Sequence, residues 1–216
     1  MNLYFISGLG ADKRIFQNLV IPKSYTVHHI EWLTVSKKES LKAYCHRLSA
    51  QIDQQHPFSL IGVSFGGIIA IELSQIVKPR KTIIISSFLR KDEVPFLYRL
   101  VGRSRIHELL PIRFLLKPNG FIFRVFGAVN PDGKLLLENI LRETDPAFFR
   151  WAILQMFSWD NQWKPESFLH IHGTADKILP LHKNMLAIPV EGGEHLMVYN
   201  KPEIISRLLD QHLQTA

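Results

Sequence analysis

A single cysteine among 216 residues leaves this chain no internal disulfide framework and suits a reducing compartment. That residue, Cys45, lies in the helix-like stretch Leu41-Lys42-Ala43-Tyr44-Cys45-His46-Arg47-Leu48, where packing is the expected role. No apolar run approaches the ~18 residues of a membrane span. No basic n-region, long apolar segment or cleavage site precedes the strand-like Leu3-Tyr4-Phe5-Ile6, so the expected location is cytoplasmic. Internal repeats and low-complexity tracts are missing too. Clustered positive charge is scarce despite a net charge of +7 and a pI near 9.6. The densest group is Arg99, Arg103, Arg105 and Arg113, set among apolar residues without an aromatic ladder or a nucleic-acid module. The excess charge therefore reads as solubility and attraction for anionic ligands, and nucleic acid is not an expected partner. Metal-ligand spacing is also wanting. His170 and His172 share one face of a strand with no third ligand near, and His28-His29 reads the same way, as structural histidines. No metal and no cofactor are expected.

What the chain has is apolar residues, 46% of the total, enough for one domain with a substantial core. Strand and helix signals alternate almost from end to end, which implies an α/β fold with a mostly parallel sheet and helices on both faces. The expected strands are 3–6, 25–32, 58–63, 81–86, 168–172 and 187–191. The expected helices are 14–20, 40–54 with Ser40 as N-cap, 65–77, and 202–212 opening on Pro202. Between 88 and 165 the alternation stops. That segment is helical in texture, broken at Pro95, Pro111, Pro118, Pro131 and Pro146, and rich in aromatics from Phe114 and Phe121 to Trp159.

The most informative passage is Ser59-Leu60-Ile61-Gly62-Val63-Ser64-Phe65-Gly66-Gly67-Ile68-Ile69-Ala70. An apolar strand pattern stops at Ser64 and a helical one starts at once, which is the context a Gly-x-Ser-x-Gly nucleophile turn needs. Gly62 and Gly66 let the strained turn close, and the serine hydroxyl projects at a helix N-terminus. Downstream, Phe168-Leu169-His170-Ile171-His172-Gly173-Thr174-Ala175-Asp176 runs from a strand into a turn ending in an acid. Ile188-Pro189-Val190-Glu191-Gly192-Gly193-Glu194-His195 runs from a strand into a turn presenting a histidine, with Glu194 expected to be exposed. Serine, aspartate, histidine is the chain order of the nucleophile-elbow fold. Ser64 is the candidate nucleophile, His195 its base and Asp176 the group that orients the imidazole. Asp92 is a weak alternative acid.

In these motifs the chain resembles the α/β-hydrolase superfamily, in particular its small cap-bearing members, over essentially its whole length. The resemblance implies a shortened sheet of about six strands ordered 2-1-3-4-5-6, because two strands that open larger members are absent. It implies a core of residues 1–87 and 166–216 and a helical cap of residues 88–165 above the nucleophile. It places an oxyanion hole at the backbone amides of Phe65, which follows the nucleophile, and of Leu9 in the turn Ser7-Gly8-Leu9-Gly10, where Ser7 stands in for the family's usual histidine. The implied activity is serine hydrolysis through an acyl-enzyme, foremost a carboxylesterase on small to medium apolar esters. A thioesterase, a carbon–carbon bond hydrolase or lyase, and a ligand-binding receptor on the same fold stay open. A haloalkane dehalogenase is disfavoured, since aspartate would stand where Ser64 does. The expected partner is a small-molecule acyl substrate, and the oligomeric state is left open.

Overall fold

The computed structural model describes residues 1–103, 112 and 116–214. Six strands form one parallel sheet: β1 (Asn2–Ile6), β2 (Thr26–His29), β3 (Phe58–Val63), β4 (Lys81–Ile85), β5 (Phe168–Gly173) and β6 (Ile188–Val190). Their order is β2-β1-β3-β4-β5-β6, as the resemblance implies. Parallel central strands bury both faces, which is why β3 is buried at every position and β4 reads as an isoleucine run. Alternation along the strands then sorts the core in two. Tyr4, Ile6, Leu60 and Ile84 face one layer with α1 (Leu41–Leu48) and α2 (Phe65–Ile76). Leu3, Phe5, Ile61, Ile83 and Ile85 face the other, closed by α7 (Met197–Asn200) and α8 (Pro202–Gln214).

Between β4 and β5 the described chain forms α3 (Phe96–Arg103), α4 (Gly120–Phe126), α5 (Pro131–Glu143) and α6 (Pro146–Ser158). Proline opens α5 and α6 because a first-turn amide has no intrahelical acceptor to lose. Asn130 and Asp145 cap those two helices with their side chains. The helices extend both core layers: Trp151 and Met156 of α6 join the α1–α2 side, and Leu136, Ile140 and Leu141 of α5 join the other. Of the arginine group, Arg105, Arg113 and the Arg103 side chain lie outside the described residues, as do Pro111 and Phe114.

Two helix expectations need correction. The helix over 14–20 is only a 3₁₀ turn, Lys13–Phe16. Past it the chain is tied to the C-terminal elements: Val20 N–H donates to Ser206 Oγ and the Asn18 side chain, through Nδ2, to the Tyr199 carbonyl. The helix over 40–54 starts as expected, with Ser40 Oγ accepting from Ala43 N–H, but ends at Leu48 in a 3₁₀ turn, Ser49–Gln51. There Gln51 pairs with the Glu31 backbone, and Asp53 N–H donates to Tyr4 Oη. Helix α7 carries no cap or periodicity long enough to signal it in sequence.

Candidate active site

The site is built where the strands end. Ser64 follows β3 directly with φ 54° and ψ −122°, a region β-carbons avoid, at a cost of about 1–3 kcal/mol. Two glycines make that turn possible. A Cβ at Gly62 would lie 2.2 Å from the Gly66 carbonyl oxygen, and one at Gly66 would lie 2.2 Å from the Ser7 carbonyl oxygen. The elbow is pinned by Ser64 N–H donating to the Ile85 carbonyl at 2.9 Å and by Ser87 Oγ donating to the Ser64 carbonyl at 2.7 Å.

The structure brings Ser64, His195 and Asp176 together. Ser64 Oγ lies 2.9 Å from His195 Nε2, and His195 Nδ1 lies 2.8 Å from Asp176 Oδ2. An ionised carboxylate can only accept, so Nδ1 carries the proton and Nε2 faces the serine hydroxyl as acceptor. His195 also meets the edge of Phe126, at 5.6 Å between centroids. Asp176 is buried, and burial by itself pushes its carboxyl up. The attraction and hydrogen bond of His195, with a backbone hydrogen bond from Leu179, outweigh that and hold it below the ordinary carboxylate range. Asp92 is not part of this arrangement; its side chain is 61% exposed, near Arg90.

The two candidate oxyanion donors flank the serine. Phe65 is the first residue of α2, where an amide has no intrahelical acceptor and the helix dipole favours negative charge. Leu9 lines the same cavity as Ser64, and a Cβ on its neighbour Gly8 would be 3.5 Å from Ser64 Cβ. Ser7, whose role the sequence left open, donates its hydroxyl to the Ala11 carbonyl at 2.6 Å and so closes the loop. The Trp32 indole N–H donates to that same carbonyl at 2.9 Å. Neither contact has a sequence signature, because the acceptor is backbone.

Above Ser64 and His195 lies a cavity of about 340 Å³. Its walls are apolar: Ile122 and Phe126 of α4, Leu137 and Ile140 of α5, and Ile153 and Met156 of α6. Phe121, 72% exposed, stands at its edge. The polar side chains among its described lining besides Ser64 and His195 are Tyr98 and Thr144, and both hydroxyls donate to backbone carbonyls. No described lining residue is an aspartate, glutamate, lysine or arginine.

Glu194 is not exposed as expected: its side chain is 24% accessible, lies 3.7 Å from Lys177 Nζ, and packs under Gly127 at the end of α4. His28 stacks on Tyr4 and His29 on Phe16, yet His28 Nε2 and His29 Nδ1 have no hydrogen-bond partner among the described residues. Ring stacking rather than hydrogen bonding holds them. Among the described residues no group of three or more His, Cys, Asp or Glu is placed to hold a metal ion, and no helix is long and apolar enough to cross a membrane.

No protein-family model matches the chain, and no curated protein does. Solved structures do. MenH from S. aureus aligns with a TM-score of 0.75 at 17% identity, covering 99% of this chain and 95% of that one. A thermophilic esterase from Thermogutta terrifontis aligns with a TM-score of 0.74 at 14% identity, over 99% and 89% of the two chains. A bromoperoxidase from Bacillus anthracis aligns with a TM-score of 0.68 at 15% identity, over 99% and 92%. At such identities the likeness establishes a fold, and the chain has the α/β-hydrolase fold. Proteins named for different reactions share it, so the reaction must be argued from the site.

Proposed function

We propose that this chain is a serine hydrolase working through an acyl-enzyme, a carboxylesterase for small to medium apolar esters. The observation that carries the reading is the hydrogen-bonded run Ser64–His195–Asp176 opening on an apolar cavity. His195 Nε2 takes the Ser64 proton as Oγ attacks the ester carbonyl carbon. The Phe65 and Leu9 amides receive the oxyanion that forms, while Asp176 stabilises the imidazolium. Collapse of the tetrahedral species breaks the bond to the alcohol, and His195 returns its proton to that leaving oxygen. Water, deprotonated by His195, then cleaves the acyl–Ser64 bond and releases the acid.

Residues 88–165 act in this reading as a cap over a core of residues 1–87 and 166–216, supplying the apolar walls that exclude water. A thioesterase would use the same residues, but the carrier phosphate it would have to hold finds no cationic side chain in the described lining. The single buried Cys45 is the ground for placing the protein in the cytoplasm.

The decisive experiment is labelling with a fluorophosphonate, followed by turnover of nitrophenyl esters of graded acyl length. Ser64→Ala should abolish labelling and lower turnover by about 10⁴–10⁶-fold. Labelling that survives in Ser64→Ala would place the nucleophile elsewhere. A wild-type protein that is neither labelled nor active on esters, thioesters or carbon–carbon substrates would leave a ligand-binding receptor as the better reading.

A further inference from the structure

The loop that carries Asp176 is gripped at two consecutive carbonyls. From the sheet, His172 on β5 places Nε2 2.7 Å from the Leu179 carbonyl oxygen. A carbonyl only accepts, so Nε2 carries the ring proton and Nδ1 is left as an acceptor; His170 Nε2–H fills it at 3.0 Å. From the helical insertion, the Tyr98 hydroxyl donates to the Ile178 carbonyl at 2.8 Å, with the Tyr98 ring stacked on Phe157. The amides of these same two residues, Ile178 and Leu179, both donate to Asp176 Oδ1 at 2.9 Å. With Oδ1 fixed in this way, Oδ2 is aimed at His195 Nδ1.

We propose that His172 and Tyr98 are positioning residues that hold loop 176–179 from the sheet and from the helical insertion, so that Asp176 presents one oxygen to His195, with His170 fixing the His172 tautomer. The proposal rests on the roles given above to Ser64, His195 and Asp176.

The cost of the arrangement argues for it. His170 and His172 are 1% and 0% exposed, and burying two imidazoles is unfavourable where apolar side chains of similar volume would pack as well. Burial pushes both rings below their usual range, so both are neutral near pH 7. Neutrality matters because His172 Nε2 is only 3.7 Å from Asp176 Oδ2. A cation there would compete with His195 for the carboxylate, whereas a neutral N–H given to Leu179 orients the loop without competing. The other titratable groups around the acid are Tyr98 and His195, with His182 and the Lys177–Glu194 pair further out.

The test uses the full chain with His172→Leu, which removes the donor, His172→Gln, which keeps an N–H near the place of Nε2, and Tyr98→Phe. Each is also made in an Asp176→Asn background. His195 is followed by NMR titration of its labelled ring, which needs no turnover, alongside the pH profile of ester hydrolysis. In His172→Leu, His195 loses part of its carboxylate partner and should titrate lower than in the wild type. Its kcat should fall ~10–100-fold with KM changed less than ~3-fold. His172→Gln should recover most of both effects, and in the Asp176→Asn background His172→Leu should cost less than ~2-fold more. Tyr98→Phe should shift the His195 titration in the same direction, and it decides the matter if His172→Leu does not fold. An unmoved His195 titration in a folded His172→Leu or Tyr98→Phe protein overturns the proposal, as does an undiminished loss of activity in the Asp176→Asn background. If the wild type proves inactive and unlabelled, the esterase reading fails while the NMR arm still decides the positioning role.

Discussion

Replacing His170 by glutamine should flatten the acid dependence of stability. His170 is buried on β5, and burial, aided by the neighbouring His172, lowers its pKa from 6.5 to about 3. The folded value lies below the unfolded one, so the unfolded chain accepts a proton that the native chain resists. This contribution to stability is complete above pH 6.5 and is lost progressively as pH falls from there toward 3. Between pH 7 and pH 5 the loss from this one group is about 2 kcal/mol. For a chain of this size each kcal/mol moves Tm by ~2–4 °C, so the wild type should lose ~4–8 °C on that account. Glutamine keeps an N–H near the place of Nε2, still able to donate to His172 Nδ1, and does not titrate. Thermal unfolding followed by circular dichroism at pH 7 and pH 5, at fixed ionic strength, compares the two proteins. His172 and the carboxylates contribute equally to both and cancel in the difference. The variant's drop in Tm should be smaller than the wild type's by those ~4–8 °C. Equal drops would mean that His170 protonates freely in the native state, and the neutral His170–His172 chain would have to be abandoned.

Asp176→Asn should keep the fold and lower ester turnover by roughly 10³–10⁴-fold, because the wrong imidazole tautomer is favoured, while Asp92→Asn changes it less than ~2-fold; the reverse pattern in steady-state kinetics would move the acid to residue 92. Gly66→Ala drives a Cβ to 2.2 Å from the Ser7 carbonyl oxygen and 2.3 Å from that of Ile6, both backbone atoms that cannot step aside. It should cost about 2 kcal/mol or more and weaken fluorophosphonate labelling, read by denaturant unfolding and by the labelling rate. Each added acyl carbon should raise kcat/KM by up to ~4-fold until the cavity is full, at about 0.8 kcal/mol per methylene. That series should barely respond to salt, since exposed charge steering is screened within ~10 Å at 0.1 M. Flat chain-length dependence with steep salt inhibition would instead favour a carrier-linked thioester.

The strands were legible to within a residue or two where both faces are buried. Ile83, Ile84 and Ile85 can sit only in a central strand, and the switch from an apolar strand run to a helical pattern at Ser64 marks the elbow without any knowledge of what surrounds it. Edge elements were less legible because their ends are decided by neighbours distant in sequence. Residues 14–20 carry a helical pattern, yet the Val20 N–H is taken up by Ser206 and the Asn18 side chain by Tyr199, each more than 180 residues away. Strand β2 stops at His29 where eight residues, 25–32, were expected, because only β1 pairs with it and that strand is five residues long.

The candidate site divides along the same physical line. Ser64, Asp176 and His195 each sit in a local turn whose glycines mark it in sequence, so the residues could be singled out although they are brought together from three different strand ends. The residues that hold those three in place carry no such mark. His170 and His172 alternate on a strand, which says that they share a face but not that the face meets the Asp176 loop. Their last acceptor is the Leu179 carbonyl, an atom every residue has. Ser7 and Tyr98 are alike in this respect, since each ends on a backbone oxygen, of Ala11 and Ile178. A side chain that reacts must have a particular chemistry, and residue type reveals it. A side chain that orients a reacting group needs only a donor at the right distance from a carbonyl, and that becomes visible once the chain has folded.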